Sequence, residues 1–287
     1  MARLRSTGIA VTVAAAAAMA GCAAEAQPAT LSPAALDLAV RSAPYQQEQV
    51  LLARAERTLT RECMAAKGYS YTETGTGTVL DDPWRPDLEG RRLRGYGLAK
   101  GDPPVNGPKK TPPGYLRALT GDENRRATLS LSSGPRFTFA TTGCLAESRA
   151  RLYGDVTDAA RAAYVPQEAY NALLPSIVGD PQTREAVQRW SRCMRGRGHS
   201  YASASEARAA AAGAYRAERP GAEAHRFEIR VAVADGECAL AAGFPGLIDR
   251  VGRLHAGRLT ARQREDLNTA AELRAAGLRQ ARRIIER

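Results

Sequence analysis

The sequence predicts a mainly α-helical, disulfide-stapled protein with two internal repeats and an irregular Gly/Pro-rich segment carrying short strands. Three observations lead there. Apolar residues recur at helical spacing through most of the second half of the chain. One phrase is written twice, "ECMAAKGYSY" from Glu62 to Tyr71 and "RCMRGRGHSY" from Arg192 to Tyr201, with Cys, Met, Gly, Ser and Tyr at the same offsets. With Cys22 set aside, the cysteines form an even set, Cys63, Cys144, Cys193 and Cys238, which in an exported protein reads as a disulfide framework.

Export is read from the start of the chain. Arg3 and Arg5 precede an apolar run, Gly8 to Ala20, that ends in small residues, the pattern of a secretory signal. The run is shorter than the roughly 20 residues a membrane-spanning helix needs. Residues 1–21 are therefore read as a cleaved signal peptide. Met19-Ala20-Gly21-Cys22 is similar to the lipobox of bacterial membrane lipoproteins, with Met where Leu is commoner. That resemblance implies acylation of Cys22, which becomes the mature N-terminus and anchors the chain to the cell membrane. The simpler alternative, an ordinary signal cut nearby, leaves Cys22 as an unpaired thiol, unusual in an exported protein. Residues 22–44 are rich in Ala and broken by Pro28, Pro33 and Pro44, and are expected to be a tether.

Four cysteines allow three pairings. Each copy of the phrase supplies one Cys, and each is followed by one more in a helical-looking segment, so the economical pairing is Cys63 with Cys144 and Cys193 with Cys238. Leu52, Ala55, Leu59, Cys63 and Ala66 form one apolar stripe; Val187, Trp190 and Met194 form another beside Cys193; Phe227, Val231, Ala234, Cys238 and Ala241 form a third. Gly68 and Gly198, five residues after Cys, stand where a left-handed helix cap is expected, and Met64 and Met194 read as core filler.

The remaining organisation follows from these landmarks. Residues 45–155 read as a first repeat with a long loop insertion, its helix running from about Gln46 to Lys67. Between residues 72 and 142 Gly and Pro are dense, and only loops, short strands and a helical turn near Tyr115 to Leu119 are expected. Residues 156–287 read as a second helical repeat with a C-terminal helix. Asp180-Pro181 offers an N-cap, Ser203 with Glu206 a capping box, and Thr260 with Gln263 another. Leu247, Val251 and Leu254 recur at helical spacing, as do Ala270, Leu273, Gly277, Ala281 and Ile284.

Charge and composition bound the function. Net charge is +11, falling to +9 without Arg3 and Arg5, and all but four of the 41 basic residues are arginines. Attraction to anionic lipid or wall polymer is one reading; an arginine-rich genome is the plainer one. "GRRLRGYG", Gly90 to Gly97, would suggest nucleic acid in a cytoplasmic protein, but export argues for no nucleic acid and for a solvated loop. His199, His225 and His255 have no zinc-site spacing, and neither C-x-x-C nor G-x-S-x-G occurs. No metal and no cofactor is expected.

The repeated C-M-x-x-x-G phrase, Gly143-Cys144 with Leu152 to Asp155, Trp190 with Cys193-Met194, and Ala234-Asp235 with Cys238 together resemble a group of uncharacterised exported lipoproteins of actinobacteria. The resemblance spans roughly residues 45–287, and Gly236, which interrupts the Ala-Asp helix, and His199 depart from it. It implies no activity. The expected function is a non-catalytic binding or structural role as a cell-envelope lipoprotein at the outer face of the cytoplasmic membrane. The alternative is an exported wall-directed hydrolase using Asp81, Asp82 or Asp155. Adjacent carboxylates such as Asp81-Asp82 more often form a turn, since neighbouring side chains on an extended chain point apart.

Overall fold

Ser32 opens the first helix, its Oγ accepting from the Ala35 amide at 3.1 Å, in a computed structural model that describes residues 30–71, 82–99, 112–216 and 221–286. Pro33 takes the first helical position, where a missing N–H costs nothing, and α1 (Pro33–Val40) buries Ala35, Leu38, Ala39 and Val40. Pro44 likewise sits in the first turn of α2 (Ala43–Ala66). The tether reading is thus corrected from Ser32 onward: these prolines start helices rather than stiffen a linker. Cys22 lies outside the described residues.

The chain then forms α3 (Leu88–Arg94), α4 (Tyr115–Thr120) and an antiparallel hairpin, β1 (Arg126–Ser130) with β2 (Arg136–Ala140), in which Thr128 faces Thr138. Helices follow almost without pause: α5 (Cys144–Tyr153), α6 (Val156–Gly179), α7 (Pro181–Gly196), α8 (Ala204–Ala214), α9 (Gly221–Ala241), α10 (Phe244–His255), a 3-10 turn (Ala256–Arg258) and α11 (Ala261–Ile285). The expected caps are present, with one box incomplete: the Glu206 carboxylate accepts from the Ala202 amide at 2.9 Å rather than from the Ser203 amide. Asp180 accepts from the Gln182 amide at 2.9 Å, Ser203 from the Glu206 amide at 3.2 Å, and Thr260 with Gln263 closes a capping box.

Two apolar clusters form the interior. The smaller joins α2, α5 and α11 through Leu52, Ala55, Leu59, Leu152, Leu278, Ala281 and Ile284. The larger joins α1, α6 to α11 and the hairpin, with Trp190, Met194, Leu173, Ile177, Val231 and Ile248 among its buried residues. α11 belongs to both. It completes the first unit although it lies at the far end of the sequence, so the boundary read at residue 155 does not separate two cores.

Disulfides tie both units. Cys63 is bonded to Cys144 and Cys193 to Cys238, each with a Cα–Cα separation of 5.6 Å. The bridges close loops of 81 and 45 residues, and in the chain-entropy account restrict the unfolded chain by about 4.5 and about 4 kcal/mol, as upper estimates.

Three sequence expectations change. Gly90 to Gly97 is not a solvated loop: it forms most of α3 and its exit, and Arg91 is buried. Gly236 does not interrupt α9, which runs through it. Leu254, assigned to an apolar stripe, is 67% exposed in the last turn of α10, just before the helix gives way to the 3-10 turn at Ala256.

Candidate functional site

The two copies of the phrase end their helices in the same way. The Tyr69 amide donates to Met64 O at 2.9 Å and the His199 amide to Met194 O at 2.9 Å; Gly68 and Gly198 bond back to residues 65 and 195 at 2.9 and 3.0 Å. Both glycines have positive φ, +80° and +81°, which closes the helix with a left-handed residue. Met64 and Met194 are fully buried, so the phrase places one sulfur in a bridge and the next side chain in the core.

The densest polar cluster lies beside the second bridge, inside the larger core. On α9, Glu228, Val231, Asp235 and Cys238 occupy one face at helical spacing, and all four are buried. Asp235 is 1% exposed and accepts three hydrogen bonds of 2.9 Å: from Arg91 Nη1 and Tyr96 OH on Oδ2, and from Trp190 Nε1 on Oδ1. Burial pushes the Asp235 carboxyl up, against the opposing pull of Arg91 and the hydrogen bonds of Tyr96 and Trp190. Two turns earlier Glu228 accepts from the Leu98 amide at 2.8 Å and from the Tyr215 hydroxyl, with His225 Nδ1 3.6 Å away. Burial first and the Glu228 carboxylate second raise Tyr215 well above the ordinary phenol value.

Gly236 explains how α3 reaches this cluster. A Cβ there would lie 2.6 Å from Leu88 Cδ2 and 3.1 Å from Arg91 Nη1, so any larger residue would have to displace the Leu88 side chain and crowd the Arg91 guanidinium. The whole arrangement clamps residues 88–98 onto α9. It joins the segment read as a loop to the Trp190 and Asp235 helices, each of which the sequence had singled out separately.

A second enclosed arginine, Arg274 on α11, donates to Glu48 Oε2, Gln49 Oε1 and Tyr45 O at 2.9, 3.0 and 3.1 Å and lies over the Tyr45 ring. It borders a cleft of about 90 Å³ between α1, α2 and α11, also lined by Asp37 and Leu278. Ligand pockets commonly run from about 300 Å³ upward. A buried phenol elsewhere offers no base either: burial raises Tyr153 and Tyr170 to about 12.

The proposed catalytic carboxylates do not converge. Asp82 holds a turn, accepting from the Trp84 amide at 2.9 Å and from Arg85 at 3.1 Å, whereas Asp155 caps α6 through the Asp158 amide at 2.9 Å. Asp81 lies outside the described residues. Each histidine has its own surroundings: His199 stacks on Tyr201, His225 faces Tyr215 and Glu228, and His255 Nε2 lies 3.0 Å from Asp180 Oδ2. Among the described residues, the ligand-type atoms of Cys63, Cys144 and Glu147 lie within 4.8 Å of one another, but both sulfurs are spent in the bridge and Glu147 pairs with Lys67 at 2.9 Å.

Arg91, Tyr96, Glu228 and Arg274 were missed from the sequence. One signal was available for the first three: Glu228 and Asp235 fall on the apolar stripe that carries Val231 and Cys238, and buried acids demand partners. In comparisons with known proteins, no family model matches the chain and no curated protein or solved structure is detectably similar to it.

Proposed function

We propose that the chain is an exported lipoprotein, anchored to the outer face of the cytoplasmic membrane through Cys22, with a non-catalytic binding or structural role in the cell envelope. The observation that carries this reading is Met19-Ala20-Gly21-Cys22 placed directly after Arg3, Arg5 and an apolar run. Two bridges that take up Cys63, Cys144, Cys193 and Cys238 support it, since such bridges belong to oxidising compartments and leave Cys22 as the odd cysteine. The resemblance to exported actinobacterial lipoproteins points the same way. A non-catalytic role is favoured because the buried acids are fully engaged and Asp82 and Asp155, two of the three candidate carboxylates, serve as turn and cap.

The test is acylation. The protein expressed in an actinobacterial host is expected to incorporate labelled fatty acid and to fractionate with membranes, and the Cys22→Ala variant to do neither. A variant that still labels and stays membrane-bound sinks the proposal. Release of products from purified wall polymer by the wild-type protein would instead favour the hydrolase.

A further inference from the structure

We propose that the Cys63–Cys144 bridge is a redox switch, opened by an external dithiol while the Cys193–Cys238 bridge stays closed. The inference goes beyond the anchor at Cys22 and stands on the geometry of the two bridges, whichever way the N-terminus is processed.

The two staples begin alike. Cys63 and Cys193 hold the same place in the repeated phrase, both half-buried and both in the last turn of their helices, α2 ending at Ala66 and α7 at Gly196. Their partners stand at opposite helix ends. Cys238 lies in the last turn of α9, which ends at Ala241, whereas Cys144 is the first residue of α5. Three of the four sulfurs therefore lie where unpaired helix carbonyls oppose a negative charge, and Cys144 alone lies where helix amides favour one. No side chain caps those amides, because the residue in the capping position is Gly143.

The surroundings differ as well. Cys193 and Cys238 belong to the larger apolar cluster, whereas among the described residues neither apolar cluster includes Cys63 or Cys144. The first bridge lies instead beside the Lys67–Glu147 pair, whose side chains are 38% and 51% exposed. Glu147 Oε2 is 3.1 Å from Cys63 Sγ, a sulfur that carries no hydrogen while it is bridged. Reduction supplies the missing S–H, which then donates to that carboxylate. Lys67, 2.9 Å from the other carboxylate oxygen, offsets the acid's charge as the attacking thiolate approaches.

The exchange balances with the dithiol as reductant. One of its sulfurs, as thiolate, attacks Cys63 Sγ, the more accessible end of the bond, since Cys144 is fully buried. A bond forms between that sulfur and Cys63, and the old bond breaks with its electron pair on Cys144, released as a thiolate at the start of α5. A sulfur stabilised as the anion leaves faster. The second sulfur of the dithiol then displaces Cys63, so the dithiol ends as a disulfide and its two protons end on Cys63 and Cys144.

Opening the bond leaves the unit standing. Leu52, Leu59, Leu152 and Leu278 still pack together, Thr60 Oγ1 still donates to Ser148 Oγ, and Arg149 Nε to Glu56 at 2.9 Å. Reduction thus frees the end of α2 from the start of α5 without separating the two helices.

The test treats the full chain with dithiothreitol in the absence of denaturant and quenches at intervals with iodoacetamide. Peptide mapping then reads each cysteine, Cys22 included, separately. Cys63 and Cys144 are expected to be alkylated together, about tenfold sooner than Cys193 and Cys238, with the helical circular dichroism unchanged. In a parallel reaction glutathione, a monothiol, is expected to end as an adduct on Cys63, with Cys144 alkylated. Equal rates at the two bridges, or earlier opening of Cys193–Cys238, overturns the switch. So does alkylation of Cys63 and Cys144 that appears only with loss of the helical signal. A glutathione adduct on Cys144 with Cys63 alkylated overturns the role of the α5 terminus.

Discussion

Replacing Arg91 with Met tests whether the Asp235 cluster holds the molecule together. Arg91 and Asp235 are 2% and 1% exposed, so the substitution leaves a carboxylate in the core without its only charged partner among the described contacts. Breaking a buried pair in this way costs about 3–5 kcal/mol. The lower end applies, since Tyr96 and Trp190 still donate to the carboxylate at 2.9 Å and Met fills much of the arginine stem's volume. Arg91→Met is therefore expected to lose about 3 kcal/mol at neutral pH in urea unfolding with the bridges intact. The loss should shrink in mild acid, where Asp235, whose carboxyl burial already pushes upward, takes a proton instead of remaining an unpaired charge. The double variant Arg91→Met with Asp235→Asn keeps an acceptor for Trp190 and sets an amide NH2 against the Tyr96 hydroxyl oxygen without the charge, and should recover about half of the loss. A single variant within about 1 kcal/mol of wild type, or a double variant whose loss equals the sum of the singles within about 0.5 kcal/mol, refutes the clamp.

Asp180 gives a pH dependence. The Gln182 amide and the His255 ring hold its carboxyl below the usual aspartate value, so the stability it contributes is complete above that usual value and is lost as pH falls through the lowered one. Acid unfolding of Asp180→Asn, followed by circular dichroism below pH 4, is expected to lack that part of the slope; a slope identical to wild type argues against it. The paired caps make a second test. Gly68→Ala and Gly198→Ala each force an L side chain into positive φ with open space around it, so each should cost about 1 kcal/mol, and equally. Thermal unfolding in which one costs nothing and the other several kcal/mol would break the equivalence of the two phrases.

What the sequence disclosed was local chemistry. Asp180, Ser203 and Thr260 cap helices through partners two or three residues away, and Gly68 and Gly198 close them within the same turn, so short-range rules locate them. The pairing of the cysteines followed from the repetition itself. Arg91 and Asp235 stand 144 residues apart, and no local pattern joins them; the glycines around Arg91 suggested a loop when they were serving a close helix contact and a helix exit. Leu254 misled for the opposite reason. Its spacing is that of a buried stripe, but periodicity describes only the helix that carries a residue and is blind to what stands opposite it. Pro33 and Pro44 failed through ambiguity, since the same residue breaks a helix interior and starts a helix.

The second staple differs from the first in what accompanies the sulfur. One turn before each phrase cysteine stands a residue that hydrogen-bonds the partner helix: Thr60 Oγ1 donates to Ser148 Oγ at 3.0 Å on α5, and Trp190 Nε1 donates to Asp235 on α9. The first contact is small, neutral and self-contained, and suits a unit whose apolar cluster is closed by α11. The second introduces a charge, and that charge demands Arg91 and Tyr96, which lie on a segment otherwise poor in apolar anchors. Asp235 is thereby more than a staple partner: a buried carboxylate is costly alone, and satisfying it through Arg91 and Tyr96 helps bind residues 88–98 to the body. The bridge between Cys193 and Cys238 holds α9 against α7 with Asp235 next to Trp190. It thereby favours the arrangement in which the acid, the arginine and the indole are all satisfied.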